Sequence, residues 1–240
     1  MAKRFFIAGT DTDVGKTAVA AGLLAAANQR GLQTLALKPV AAGAVQSEQG
    51  LRNEDALVLQ SVMSVTLSYE QVNPVVFETA IAPHIAAQQA GRRMTVSQLA
   101  GFCRGTLMTP HDFALIEGAG GWRVPLSGRE TLAGLAVDLQ APVILVVGLK
   151  LGCINHALLT AEAIQRDGLP LAGWVGNLID PDMSCAEENV ESLRALLPAP
   201  CLGIVPHLDR PDAEQVARYL DLRVLLGGHV HDDLGDELSK

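Results

Sequence analysis

The residues best suited to chemistry form a phosphate-binding loop, Gly-Thr-Asp-Thr-Asp-Val-Gly-Lys-Thr, at positions 9–17. The apolar run Phe5 to Ala8 before it is typical of a buried parallel strand, and the alanine-rich stretch after it has a helical period. Free N–H groups at the start of such a helix attract phosphate, as does the positive end of its dipole. Lys16 can reach the β- and γ-phosphates of a nucleotide, and the Thr17 hydroxyl can ligate Mg²⁺. The loop is a variant, because the usual first glycine falls where this chain has Thr10.

Charged side chains end two further strands that the sequence predicts. Residues 34–40 form a predicted strand with Lys38 near its carboxyl end, and residues 113–117 form another that ends in Glu117 before a glycine-rich turn. Ligands of open α/β sheets bind at the carboxyl ends of strands, so both side chains are expected beside the phosphate loop. A carboxylate there can coordinate Mg²⁺. The alternatives are a solvated lysine at a strand end and a glutamate that caps a loop. For Asp55, which opens a predicted helix, the pattern alone indicates only a favourable helix-dipole interaction.

Strands and helices alternate along most of the chain, which predicts one α/β domain over residues 1–226 with a mostly parallel central sheet flanked by helices. Residues 41–53 are predicted to form a loop, and residues 63–112 an insertion that carries helices. A later helix is predicted from Ala157, where Asn155 could either cap the helix or bind an anionic group of a substrate. The acidic tail over residues 227–240 has no apolar period and is expected to be disordered.

Composition narrows the classes of function. The chain has 240 residues, 49% of them hydrophobic, and a net charge of -8 without a Lys/Arg-rich run, which disfavours nucleic-acid binding. Its four cysteines, Cys103, Cys153, Cys185 and Cys201, are widely spaced, so neither a zinc site nor a disulfide framework is indicated. No apolar run approaches the ~20 residues needed to span a bilayer. We therefore expect a cytoplasmic protein that acts on small molecules.

Several further motifs follow the phosphate loop in a specific order: Leu-Lys-Pro-Val, Leu-Arg-Asn-Glu-Asp-Ala, Asn-Pro-Val, Ala-Pro-His, Glu-Gly-Ala-Gly-Gly, Leu-Gly-Cys-Ile-Asn-His and Gly-Trp-Val-Gly-Asn. From residue 3 to about 225 the chain resembles the dethiobiotin synthase family, within the P-loop NTPase superfamily. The resemblance implies a homodimeric, Mg²⁺- and ATP-dependent cyclo-ligase of biotin biosynthesis. Such an enzyme joins CO₂ to 7,8-diaminononanoate through a carbamate and a phosphorylated carbamate, and closes dethiobiotin with release of ADP and phosphate.

The resemblance also implies roles for individual residues. The carbamate and the transferring phosphoryl group are expected to lie among Thr12, Lys16 and Lys38, and Mg²⁺ among Thr17, Asp55 and Glu117. The nucleotide is expected to contact Asp13, Val14, Gly15, Lys16, Thr17, Ala18, Asp55, Glu117, Gly118, Ala119, Gly120, Asn177, Pro206, His207 and Leu208. In that set Asn177 is expected to read the adenine, and residues 206–208 to cover it. The diamine is expected to contact Thr12, Lys38, Ala42, Leu151, Gly152 and Asn155, where the neighbouring subunit supplies the helix start after Gly152.

The sequence departs from the family pattern at a few positions. Ala42 stands where relatives commonly have a substrate-contacting serine, a loss of about 0.5–1.5 kcal/mol. Asn189 aligns with a tyrosine that helps some relatives to hold the substrate carboxylate. Either Asp212 or Glu214 could hold the ribose, and the sequence leaves that choice open.

Two other functions of the same superfamily compete with this interpretation. A partition-type switch ATPase shares the fold, but it carries an extra lysine early in the loop where this chain has Asp11. It also tends to have a basic face or an amphipathic anchor, and the sequence has neither. A glutamine-dependent cobyrinate amidase would need a further domain with a cysteine nucleophile, which 240 residues do not accommodate.

Overall fold

A computed structural model describes residues 2–227, so the predicted tail lies outside the described residues except for Gly227. The strands are β1 (Lys3–Gly9), β2 (Thr34–Leu37), β3 (Val40–Ala42), β4 (Val45–Ser47), β5 (Gly50–Arg52), β6 (Val75–Phe77), β7 (Phe113–Glu117), β8 (Pro125–Ser127), β9 (Glu130–Thr131), β10 (Val143–Leu149), β11 (Leu171–Leu178) and β12 (Cys201–Val205). The helices are α1 (Lys16–Asn28), α2 (Glu54–Val62), α3 (Tyr69–Val72), α4 (Pro83–Gln89), α5 (Val96–Thr106), α6 (Ala133–Asp138), α7 (Cys153–Arg166), α8 (Ala186–Leu196), α9 (Ala213–Ala217) and α10 (Arg223–Leu226).

The central sheet has six parallel strands in the order β12-β11-β10-β1-β7-β2, which confirms the predicted α/β fold. Strands β7 and β10 are buried along their whole length, as expected for parallel strands covered by helices on both faces. The chain builds the β7 side of β1 first and then crosses to the β10 side. The carboxyl end of β1 therefore lies at a topological switch point, where open α/β sheets bind their ligands.

The strand predicted over residues 34–40 is wrong in its extent, because it is divided between two sheets. Strand β2 ends at Leu37, and the Lys38 backbone N–H instead donates a hydrogen bond of 2.8 Å to the Val72 carbonyl. Pro39 has no N–H to continue the ladder, and β3 then pairs with β6 in a separate parallel sheet. Lys38 therefore lies at the break between the two sheets, outside both β2 and β3.

The loop predicted over residues 41–53 is only partly correct. It contains the end of β3 and a short antiparallel hairpin, β4 and β5, whose second strand begins at Gly50 with a φ of 97°. Asn53 then caps α2 by accepting the Ala56 N–H at 3.3 Å, so Asp55 lies in the first turn of that helix. The segment over residues 63–112 carries α3, α4 and α5, as the sequence predicted.

Helix α7 begins four residues earlier than the sequence predicted, at Cys153. Its N-cap is Gly152 in the left-handed conformation, with a φ of 94°, and no side chain caps the helix. Asn155 lies inside the first turn, so its interpretation as a capping residue is wrong. Among residues 2–227, no helix combines the length and apolar character required to cross a membrane.

Candidate active site

The phosphate loop connects β1 to α1 at the switch point of the sheet. Gly15 caps α1 in the left-handed conformation with a φ of 86°, and the Asn177 amide donates a hydrogen bond of 3.0 Å to the Val14 carbonyl beside it. A Cβ atom at Gly15 would lie 2.1 Å from the Asn177 Nδ2 atom. The loop therefore requires glycine at this position both for its backbone conformation and for the packing of Asn177.

Lys16 is almost buried at the start of α1, and its ammonium donates to a backbone carbonyl, that of Asp11, at 3.1 Å. Burial lowers the pKa of Lys16, the Glu117 carboxylate opposes that shift, and the neighbouring Lys38 charge adds to it. Among the hydrogen bonds of the described residues, the Lys16 ammonium has no carboxylate partner. An anion that reached this ammonium would bind a cation that is not yet neutralised.

Lys38 lies at the centre of the site and bridges two carboxylates. Its Nζ atom lies 2.7 Å from Asp55 Oδ2 and 2.5 Å from Glu117 Oε1. The side chains of Lys38 and Glu117 are 4% and 0% exposed. Burial alone would lower the pKa of Lys38, but Glu117 and Asp55 together outweigh it and raise this pKa. Burial would raise the pKa of Asp55, but the Lys38 charge and hydrogen bond lower it. The lysine therefore carries its charge throughout the physiological pH range.

Oxygen atoms suited to a hard divalent ion converge beside the two lysines. The Thr17 hydroxyl donates to Glu117 Oε1 at 2.8 Å, and its contact with Asp55 also lowers the pKa of that carboxyl. The second oxygen of Glu117, Oε2, is buried and has no hydrogen-bond partner within residues 2–227. In that part of the chain no group of three or more His, Cys, Asp or Glu residues forms a metal site. One hydroxyl and two carboxylates suit Mg²⁺, which keeps several waters and takes further oxygens from phosphates.

A cavity of about 880 Å³ opens over these groups at the carboxyl edge of the sheet. Its lining brings together nine residues that the sequence predicted for the site: Thr12, Asp13, Gly15, Lys16, Thr17, Lys38, Ala42, Asp55 and Glu117. It also includes the predicted Ala119 and Gly120, from the turn after β7. Lys38, Asp55 and Glu117 come from three separate elements, which shows why only the folded chain unites them.

The cavity lining contains residues that the sequence analysis missed. Arg123 lines the cavity, and its guanidinium forms two hydrogen bonds, of 2.6 and 2.8 Å, with the carboxylate of Asp167. Trp122 donates to the same carboxylate at 2.8 Å. The segment over residues 80–83 also lines the cavity. No local pattern could have found Arg123, because its partner lies 44 residues away in the sequence.

Other predicted site residues lie outside this cavity lining. Asn177 contacts the phosphate loop from β11, and His207 Nδ1 lies 3.3 Å from the Leu178 carbonyl oxygen just beyond it. Leu151 is 90% exposed at the turn before α7, next to Gly152. The residues predicted to contact the nucleotide base and the substrate's carboxylate therefore lie in regions outside the lining of the cavity that contains the lysines. Pro206, Leu208 and Asn155 belong to the same two regions.

Substitution of Gly15 tests the loop geometry. Gly15→Ala is expected to weaken ATP binding, because it imposes about 1–3 kcal/mol of backbone strain and displaces Asn177. Gly31→Ala is the matched control, since Gly31 has a similar φ of 75° after α1 but open space around its Cβ position. Calorimetric titration with ATP measures the effect. Equal losses in the two variants would contradict a specific role of Gly15.

The sequence of this chain is similar, over most of its length, to those of several bacterial proteins that share one name. A family profile described as an AAA domain matches residues 3–215. The ATP-dependent dethiobiotin synthetase BioD of Cellvibrio japonicus is 62% identical over 224 residues, which cover 93% of this chain and 98% of that protein. The protein of the same name from Pseudomonas aeruginosa is 58% identical over 221 residues, covering 92% and 97% of the two chains.

Solved structures that resemble the chain are more distant in sequence. The septum site-determining protein MinD of Pyrococcus horikoshii, complexed with Mg-ADP, has a TM-score of 0.56 at 17% identity and covers 95% of this chain and 90% of its own. MinD of Aquifex aeolicus has a TM-score of 0.57 at 16% identity, covering 92% and 88%. At such identities the likeness shows the fold alone.

Proposed function

The chain belongs to the family of ATP-dependent dethiobiotin synthetases, and from that premise we propose how its residues close the dethiobiotin ring. It is an ATP-dependent cyclo-ligase of biotin biosynthesis whose substrates are ATP, CO₂ and 7,8-diaminononanoate. The observation that supports the proposed site best is the buried contact of the Lys38 ammonium with Asp55 and Glu117, in one cavity with Lys16. Two cations are thereby held where a phosphate loop presents its N–H groups.

Three bond-forming steps account for the reaction. One amine of the diamine attacks CO₂ and loses a proton, which gives a carbamate. A carbamate oxygen then attacks the γ-phosphorus of ATP, and ADP leaves. The second amine attacks the carbamate carbon and loses a proton to solvent or to the departing phosphate, phosphate leaves with the oxygen it received from CO₂, and the cyclic urea closes.

The charges of the site match those of the reacting groups. Carbamate, triphosphate and leaving phosphate are all anions, so stabilisation by fixed cations is the main contribution required from the protein. Lys16 is proposed to bind the transferring phosphoryl group, and Lys38 and Thr12 to hold the carbamate beside it. To hold the carbamate, Lys38 would divide its hydrogen bonds between the substrate and the carboxylates of Asp55 and Glu117. The site therefore needs convergent cations more than it needs a general base.

Mg²⁺ is proposed to bind among Thr17, Asp55 and Glu117, and the unpartnered Glu117 Oε2 supports this choice. When bound, the ion supplies positive charge to the phosphate oxygens of ATP. The protein residues orient it, and Lys38 neutralises the same carboxylates when no metal is bound. This arrangement gives Glu117 a cationic neighbour in either state.

The remaining assignments extend the site beyond the cavity. The nucleotide is proposed to contact residues 13–18 and the turn over residues 117–120, with its base between Asn177 and residues 206–208. Of the two acidic candidates for the ribose, Asp212 caps α9 by accepting the Gln215 N–H at 2.8 Å, whereas Glu214 accepts a hydrogen bond from Gln29. Both carboxylates therefore already accept a hydrogen bond from the protein.

We propose one catalytic domain over residues 1–226 and a cytoplasmic location.

A homodimer is proposed because the predicted carboxylate-binding residues and the lysines do not share a cavity within one chain. Leu151 and Gly152 precede α7, Asn155 lies in its first turn, and the apolar Leu159 is exposed on the same helix. A second copy of the chain would bring this helix start to the substrate's carboxylate. Asn189, close to this region, lies 3.9 Å from Cys153 through its Oδ1 atom.

Leu151→Asp tests the proposed dimer. Leu151 is 90% exposed, so the substitution is expected to change the stability of one subunit by less than about 0.5 kcal/mol. At an interface it would place a charge in an apolar contact, which dissociates the dimer and raises KM for the diamine. Met108→Asp, at an 83% exposed position just before β7, is the control. Light scattering that shows an unchanged assembly for Leu151→Asp would contradict the proposed interface.

The reaction is tested by substrate-dependent phosphate release. The purified protein is expected to hydrolyse ATP slowly alone and to release phosphate when diaminononanoate and bicarbonate are both added, with dethiobiotin detected by mass spectrometry. Bicarbonate labelled with ¹⁸O is expected to transfer label to phosphate. Stimulation by DNA or lipid instead of the diamine would favour a switch ATPase, a function that Asp11 in the loop already disfavours. Phosphate release without label would contradict the phosphorylated carbamate.

A further inference from the structure

An ion pair joins the phosphate loop to the strand end that precedes α7. The Lys150 Nζ atom lies 3.3 Å from Asp11 Oδ2. Lys150 directly follows β10, two residues before the N-cap of α7, and Asp11 lies in the loop after β1. The pair therefore connects the region proposed for the nucleotide with the region proposed for the substrate's carboxylate.

Asp11 also holds two residues proposed to act in the reaction. Its Oδ1 atom accepts the Thr12 backbone N–H at 2.8 Å, and its carbonyl oxygen accepts the Lys16 ammonium at 3.1 Å. The Thr12 N–H is the main cause, and the Lys150 hydrogen bond the second, of a pKa of Asp11 below its usual value. Asp11 thus contacts the Lys150 ammonium, the Thr12 backbone N–H and the Lys16 ammonium.

Loss of the Lys150 contact would free this carboxylate to turn. Among the described residues, Lys150 is the only side chain that forms a hydrogen bond with Asp11 Oδ2. Because Oδ1 belongs to the same carboxylate, a rotation that follows the loss of this bond would also disturb the contact of Oδ1 with the Thr12 N–H. The peptide that carries the Asp11 carbonyl would move with it, and this carbonyl orients Lys16. A displacement of about 1 Å near reacting groups can cost around 100-fold in rate.

We propose that Lys150 is a positioning residue, which fixes the phosphate loop through Asp11 and so aligns Thr12 with the carbamate and Lys16 with the transferring phosphoryl group. This inference rests on the proposed roles of Thr12 and Lys16. It also accounts for the acidic residue in the loop, since a lysine at position 11 would repel Lys150.

Solvent exposure separates this role from a structural one. The side chains of Lys150 and Asp11 are 37% and 49% exposed, and ion pairs so exposed add little to the stability of a protein. Removal of the pair is therefore expected to change turnover far more than the melting temperature. A direct contact of Lys150 with the substrate's carboxylate is the competing role, and it would change KM for the diamine instead.

The experiment uses steady-state kinetics of the full chain with Lys150→Met, Lys150→Arg and Asp11→Asn. Lys150→Met and Asp11→Asn are each expected to lower kcat about tenfold, with KM for the diamine changed less than twofold. Lys150→Arg is expected to recover most of the turnover, because it keeps the charge. The double variant Asp11→Asn/Lys150→Met is expected to be no slower than the slower single variant, since both changes break the same contact. Lys3→Met, at the opposite end of β1, is the control and is expected to match the unsubstituted protein.

Three results would overturn the inference. An unchanged kcat in Lys150→Met would remove the residue from the reaction, and a raised KM for the diamine at unchanged kcat would make it a direct ligand of the substrate. If the fold-loss of kcat in the double variant equalled the product of the fold-losses in the two single variants, Lys150 and Asp11 would act separately. Failure of the proposed function is distinguishable, because the unsubstituted protein would then form no dethiobiotin.

Discussion

Lys38→Ala is expected to lower dethiobiotin formation about 100- to 1,000-fold, the effect typical of removing one preorganised donor from a developing charge. The same substitution should also destabilise the fold. Glu117 is 0% exposed, so loss of its 2.5 Å contact with Lys38 leaves a buried carboxylate without its cation. Breaking a buried pair in this way typically costs about 3–5 kcal/mol. The two effects have different causes and can be measured separately.

A second substitution separates stability from catalysis at this position. Lys38→Ala combined with Glu117→Gln removes both charges, so chemical denaturation should show most of the lost stability restored. Turnover should remain low, because the Lys38 cation is still absent and Glu117, a proposed Mg²⁺ ligand, has lost its charge. If activity returned together with stability, Lys38 would be a structural residue and not part of the reaction. A Lys38→Ala variant with unchanged turnover would exclude the lysine from the mechanism outright.

Lys16→Met is expected to lower turnover to a similar degree, about 100- to 1,000-fold, but without the loss of stability. The Lys16 ammonium donates to the Asp11 carbonyl, and burial lowers its pKa, so the free protein bears a cost for charging it. Methionine keeps most of the length of the side chain and removes that cost. The free energy of unfolding should therefore stay equal or rise, while ATP-dependent turnover falls.

The contrast between these lysines is itself a test. Without ATP, Lys16→Met should melt at or above the temperature of the unsubstituted protein, whereas Lys38→Ala should melt below it. Added ATP should stabilise the unsubstituted protein more than Lys16→Met, because the variant lacks the phosphate contact. A Lys16→Met variant that is as destabilised as Lys38→Ala, or that binds and turns over ATP normally, would contradict the assigned roles.

The phosphate loop, the buried strands and the positions of Lys38 and Glu117 could be predicted from the sequence, because each depends on local signals. Gly15 and Lys16 follow an apolar strand, and Glu117 ends another. The rule that ligands bind where parallel strands end then places these side chains near one another. Asp55 could be assigned only by resemblance, since an acidic residue in the first turn of a helix is common for reasons unrelated to metal binding.

Contacts between distant residues could not be predicted. The pattern does not show that Lys38 would be buried between Asp55 and Glu117, because 79 residues separate Lys38 from Glu117. The sequence pattern also did not show that β2 ends at Leu37, because strand-like residues continue past Pro39 although the hydrogen-bond ladder of β2 stops before it. The pair of Lys150 and Asp11 depends in the same way on the adjacency of β1 and β10 in the sheet.

The most direct test of this site is a crystal structure of the protein with Mg²⁺, diaminononanoate and a nonhydrolysable ATP analogue. We expect the Lys16 and Lys38 ammonium groups both to lie within about 3.5 Å of oxygen or nitrogen atoms of the γ-phosphate or the substrate. We also expect the Mg²⁺ ion to lie among Thr17, Asp55 and Glu117. A complex in which Lys38 stays bound only to Asp55 and Glu117, more than about 6 Å from the γ-phosphate and the diamine, would contradict the convergence of cations on which the mechanism depends.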